Sequence, residues 1–168
     1  MKKQLLTLAT IGMIALFSNS VMAQATATAT ATATIVAPIS ILKTADMNFG
    51  NVAVAGTLGT VVLTPAGARS VTGGTTLPTT TGPVGAATFE VDGQGTYTYA
   101  ITLPSSAHTI SNGANNMTVD NFTCNTGAGT LTAGEQTFTV GATLNVAASQ
   151  VSGTYTSGSA FDVTVNYN

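Results

Sequence analysis

The sequence predicts an all-β protein made of antiparallel sheets arranged as a sandwich or barrel. Three observations carry that expectation. Apolar and polar residues alternate with period two in run after run, and beyond the first residues no useful stretch follows the helical period of 3.6. Turn-forming clusters of Gly, Pro, Asn and Asp separate those runs. Charged residues make up only 6% of the chain, so the polar faces of the strands are built from Thr, Ser and Asn.

Taken in order, residues 1–23 read as a secretory signal outside the fold. Lys2 and Lys3 give a basic start, Leu5–Phe17 an apolar run, and Val21-Met22-Ala23 a small-x-small cleavage pattern. The apolar run is shorter than the roughly 20 residues of a membrane span. Cleavage after Ala23 leaves Gln24 first and no membrane insertion thereafter. Residues 24–168 then suit one domain with a real core.

From Ala25 to Thr34, Ala and Thr alternate without a break. Counting by twos, Ala25, Ala27, Ala29, Ala31, Ala33, Ile35, Ala37, Ile39 and Ile41 share one face of an extended chain, and Thr26 to Thr34, Val36, Pro38, Ser40 and Leu42 share the other. As one strand, residues 25–41 would reach roughly 56 Å at about 3.3 Å per residue, against about 17–20 Å for an ordinary strand. One domain cannot pair all of it, and Pro38 has no N–H to give a ladder. The expectation is a division: a first strand near residues 35–43 opening a domain over 35–168, and an N-terminal extension over 24–34. Such an extension can add itself to a sheet edge. Inserted in a sibling molecule, it makes a heterologous contact that propagates into a filament. Five Ala side chains bury little, so main-chain hydrogen bonds or Ile35 must carry the balance against ordering entropy. Two other readings stand beside it: a flexible tether of small residues, and a flat Thr array for ice or sugar.

The later strands follow the same pattern. Short candidates are Gly59–Thr64, Ala86–Val91 and Met117–Phe122; residues 65–83, rich in Thr, Gly and Pro, read as a loop with at most one weak strand. In Thr96–Leu103, residues Tyr97, Tyr99, Ile101 and Leu103 share a face, and in Thr137–Ala147 residues Phe138, Val140, Ala142, Leu144 and Val146 do so. At the end, Phe161, Val163, Val165 and Tyr167 alternate with Asp162, Thr164 and Asn166. One oily and one wet side suits antiparallel sheets. Gly73-Gly74, Gly82-Pro83, Asp92-Gly93, Asn112-Gly113, Gly127-Ala128-Gly129 and Ala133-Gly134 punctuate the runs.

Charge and chemistry exclude several functions. After residue 23 the cations are Lys43 and Arg69, against the anions Asp46, Glu90, Asp92, Asp120, Glu135 and Asp162. No basic patch exists for nucleic acid or anionic lipid. Cys124 is the only cysteine, so no internal disulfide forms; it is a small packed side chain or a free thiol open to an intermolecular bridge. His108 is the only histidine, beside Ser105, Ser106 and Thr109, and reads as a turn residue; no nucleophile elbow accompanies it. No Cys/His spacing suits zinc, and Asn112, Asn115, Asn116, Asp120 and Asn121 miss the calcium-loop pattern. Gly93-Gln94-Gly95 opens no helix to cradle a phosphate. Neither an enzyme nor a metal or cofactor is expected.

Three pieces carry a resemblance: the alternating N-terminal extension, Asp46-Met47-Asn48-Phe49-Gly50-Asn51-Val52, and Gly153-Thr154-Tyr155-Thr156 followed by Phe161–Tyr167. Together they resemble pilins of the chaperone–usher route, the spore-coat-U-like ones in particular. More closely, ATATATIVAPISILKTADMNFGNVA and the C-terminal block resemble a secreted bacterial family, domain-of-unknown-function family 4402. The pilin resemblance implies an immunoglobulin-like sandwich lacking its last strand. A periplasmic chaperone lends that strand, and the next subunit's extension replaces it at an outer-membrane usher. It implies Ala25, Ala27, Ala29, Ala31, Ala33 and Ile35 as the donor strand, with Phe161, Val163, Val165 and Tyr167 bordering the acceptor groove or touching the chaperone. The chain departs from that pattern in having one cysteine where many pilins have a bridged pair, and Ala where donor strands usually carry larger residues. The expected role is a self-polymerising subunit that passes through the periplasm to a surface fimbrium or the extracellular space. The alternative is a stand-alone secreted sandwich that binds a glycan or surface ligand and carries a flexible tether.

Overall fold

The computed structural model describes residues 24–168. The signal peptide read over residues 1–23 lies outside the described residues. Ile35–Asn168 form one compact unit, and Gln24–Thr34 are not part of it. Gln24–Thr34 adopt no regular secondary structure, and each residue is exposed.

Within the compact unit the elements are all strands: β1 (Ser40–Ala45), β2 (Ala53–Leu63), β3 (Arg69–Thr76), β4 (Ala87–Asp92), β5 (Thr98–Thr102), β6 (His108–Asn112), β7 (Asn115–Cys124), β8 (Ala128–Thr130), β9 (Glu135–Val146), β10 (Thr156–Ser157) and β11 (Thr164–Tyr167). Every ladder is antiparallel. The larger sheet runs β1-β4-β9-β7-β6-β10, with β2 also on β9 and β3 on β2; the smaller runs β11-β5-β8. The fold is therefore all-β, with two antiparallel sheets sharing a core.

β9 organises the large sheet. Its first half pairs β4, from Asp92↔Glu135 to Ala87↔Val140, and its second half pairs β2, from Leu63↔Ala142 to Gly59↔Val146. β7 takes the opposite edge, with a register shift between Asp120 and Thr123. Asn121 sits there at φ 48°, a left-handed conformation that Asn tolerates better than most residues. Phe138, Val140, Ala142, Leu144 and Val146 are all buried, so the period-two face of β9 is the core face.

Several elements differ from the sequence expectation. The first strand begins at Ser40 rather than near residue 35. Before it, the Ala37 N–H donates to Gln94 Oε1 at 3.0 Å and its carbonyl accepts from the Tyr167 hydroxyl at 3.0 Å, so side chains replace the ladder around Pro38. Residues 65–83 contain the eight-residue strand β3, which pairs along β2. Gly73-Gly74 does not end it, though the ladder shifts register there, and Gly73 takes φ 64° with its backbone so close to β2 that a Cβ would overlap the Leu58 carbonyl. His108 opens strand β6 instead of sitting in a turn. Ala128 and Gly129, read as a turn, belong to β8, where Gly129 leaves room for the Tyr99 ring.

Candidate functional site

The small sheet has strands of only three to five residues. It therefore covers part of the large sheet's apolar face. Tyr99 of β5 and Leu131 pack on Ala87, Phe89, Val91, Phe138 and Val140, closing the first core cluster. Phe89 and Phe138 stack there with centroids 5.4 Å apart. The second cluster, Val61, Val119, Ala142, Leu144 and Val146, has no strand of the small sheet over it. Met47, Phe49, Val52 and Val54 lean on it and stay only partly buried.

A cleft of about 1390 Å³ opens over that second half. Val119, Leu144, Val146 and Phe89 contribute apolar lining from the large sheet. β1 contributes Ile41 and Lys43, and the approach to β11 contributes Phe161 and Val163. β1 hydrogen-bonds only β4, and β11 hydrogen-bonds only β5. Each strand thus keeps an unpaired edge, a row of main-chain donors and acceptors able to take another strand. The charged side chains in the lining are Lys43, Asp46 and Asp162. Lys43 Nζ and Asp46 form an ion pair at 2.5 Å, but both side chains are largely exposed, so it stabilises little.

Beside the cleft the chain is latched. The Tyr167 hydroxyl accepts the Gln94 N–H at 2.6 Å while donating to Ala37. The Tyr97 ring meets Tyr167 edge-on at 5.6 Å. A Cβ at Gly93 would overlap the same hydroxyl, so the latch needs glycine at that point. The terminal strand is thereby tied to the residues that lead into β1.

The structure places the sequence-derived candidates as follows. Ala25, Ala27, Ala29, Ala31 and Ala33 are exposed, and Ile35 is 97% exposed, an extreme value for so large an apolar side chain. Phe161 and Val163 line the cleft, while Val165 and Tyr167 pack against the first core cluster. Cys124 is half-buried at the end of β7, has no disulfide partner, and its thiol donates to the Thr126 carbonyl. Burial pushes the Tyr99 phenol above its ordinary pKa, with a smaller contribution from Cys124; its hydroxyl donates to Gln136 Oε1 at 3.1 Å. Among the described residues, no group of three or more His, Cys, Asp or Glu side chains is placed to hold a metal ion. Among the same residues, no helix is long and apolar enough to cross a membrane.

Sequence reasoning missed the role of His108 and of the segment Gln150–Ala160, both of which line the cleft. His108 shares β6 with a single aliphatic residue, Ile110, and Gln150–Ala160 shows no alternation, so neither carried a periodic signal.

Comparison with curated proteins and with solved structures gives no match. A family model described as a domain of unknown function (DUF4402) matches residues 39–167, from just before β1 to the end of β11. With nearly the whole compact unit inside that match, the chain belongs to the DUF4402 family.

Proposed function

We propose that this protein is a pilin-like structural subunit of a bacterial surface fibre. Residues 24–35 of one copy insert as a strand into the cleft of the next. The observation that supports this reading most directly is the cleft itself: apolar side chains of the large sheet beneath a partly polar rim, beside the unpaired edge of β1 and the segment that leads into β11. An inserted strand satisfies such edges and covers the apolar surface together. At about 1390 Å³ the cleft exceeds the roughly 300–1,000 Å³ typical of small-molecule pockets, which favours a polypeptide occupant. The proposed donor is uncharged, exposed and without ladder partners, and it ends in an exposed Ile35.

On this reading the cleft has to be covered before assembly. A periplasmic chaperone would lend a strand, an outer-membrane usher would exchange it for the next subunit's extension, and the product would sit at the cell surface. Because the contact is heterologous, it propagates rather than closing a dimer.

The test uses the purified full chain. The expected outcome is a ladder of multimers that survives detergent at room temperature and collapses on boiling, and that disappears when residues 24–34 are deleted. A monodisperse monomer, or a ladder indifferent to the deletion, overturns the proposal; the monomer would leave a secreted binding module as the better account.

A further inference from the structure

Resting on that reading, we propose that Phe161 and His108 form a closed gate between the cleft and a second pocket. The incoming strand of a second copy displaces Phe161 and seats in both cavities. The second pocket holds about 360 Å³ and is walled by the β5–β6 connection, Leu103–Ala107, on one side. Part of its remaining wall is shared with the cleft: His108, Ala160, Phe161 and Asp162 line both cavities, while Thr102 and Thr164 line the second pocket alone.

Phe161 is the centre of that wall. Its ring meets His108 edge-on at 5.9 Å and lies tilted against Phe122 at 5.0 Å. Behind it, His108 Nε2 is shut from solvent with no hydrogen-bond partner. A buried nitrogen without a partner raises the free energy of the closed arrangement, and opening relieves it by admitting water or a strand's main chain. The wall is also lightly held. The segment leading into Phe161 is hydrogen-bonded to the sheet by the two-residue ladder of β10 on β6, by Gln150 Nε2 donating to the Asn116 carbonyl and by Asn112 Nδ2 donating to the Ser152 carbonyl, and otherwise rests on side-chain packing of Phe161 against the first core cluster. Segments held by few, exposed contacts open at low free-energy cost. Aromatic packing keeps the gate shut in the empty subunit, and strand entry exchanges that packing for main-chain pairing.

The experiment titrates residues 35–168, the compact unit that lacks its own extension and is monomeric on that reading, with a peptide of residues 24–35, QATATATATATI. It follows peptide affinity by fluorescence anisotropy and the imidazole signals of His108, the only histidine, by NMR. The gate predicts that peptide binding shifts the His108 signals, and that Phe161→Ala, which no longer has to be displaced, binds the peptide at least ten-fold more tightly. Phe161→Leu, which keeps most of the packing volume, is expected to fall between and guards against a misfolded alanine variant. Peptide binding to all three chains with equal affinity and an unmoved His108 overturns the gate while leaving strand donation intact. No binding to any chain overturns strand donation, and the gate with it.

Discussion

Single side chains decide how the two ends of the domain are held. The Tyr167 hydroxyl bridges Gln94 and Ala37, and neither of those main-chain groups has a ladder partner to replace it. Tyr167→Phe keeps the ring and loses both bonds. It is expected to lower stability by about 1 kcal/mol, read as a lower urea midpoint, with faster amide exchange at Gln94. Tyr99 makes a different prediction. Burial raises the pKa of its phenol in the folded state, so the folded chain holds that proton where the unfolded chain has lost it. Its contribution is present in full below the unfolded value of about 10 and is lost as pH rises through the folded value. Urea melts between pH 8 and 11 should show an alkaline loss of stability that is smaller in Tyr99→Phe than in the parent.

At the scale of elements, glycine placement governs which strands can form. In β8, Gly129 faces the Tyr99 ring and the Gln136 side chain, with the nearest Gln136 atom 2.5 Å from where a Cβ would sit. Gly129→Ala should displace Tyr99 and cost roughly 1–3 kcal/mol, visible as a shifted denaturation midpoint and a changed near-ultraviolet tyrosine signal. The same residue explains part of what the sequence concealed. Gly127-Ala128-Gly129 carries the composition of a turn, yet its second glycine serves a close approach inside a sheet. Gly73 hid β3 in the same way. By contrast β4 and β9 were legible, because each alternates apolar residues with Thr, Asn or acids over a full strand length, whereas β7 does so only until its phase slips at Asn121. The start of β1 was not legible. It depends on Gln94 and Tyr167, which lie 57 and 130 residues from Ala37. Of the cleft, alternation put Phe161 and Val163 on one face of an extended segment and said nothing of a cavity; His108 gave no signal at all, since its place there comes from pairing opposite Val119.

For the molecule as a whole, the unequal sizes of the sheets matter most. The large sheet offers apolar surface along all of β9, and the small sheet covers only the first cluster, so the second depends on partly exposed side chains such as Met47 and Phe49. On the proposed function, strand donation would answer that imbalance with a segment that has no ladder partner in its own chain. Removing residues 24–34 should therefore abolish the multimer ladder without moving the monomer's unfolding midpoint, since those residues are exposed and unpaired. Low charge is consistent with end-to-end packing of identical subunits, because little like-charge repulsion opposes it.

The position of β9 also has a kinetic consequence. β2, β4 and β7 all precede it in the chain, and each has one of its pairing partners within residues 135–146. Until those residues join them, β1–β4, β2–β3 and β6–β7 can pair only as separate pieces. Pairings this distant along the chain close slowly, on the millisecond-to-second scale of other non-local β topologies. A sheet that closes only when residues 135–146 join it leaves strand edges bare until then, and bare edges are where wrong partners attach.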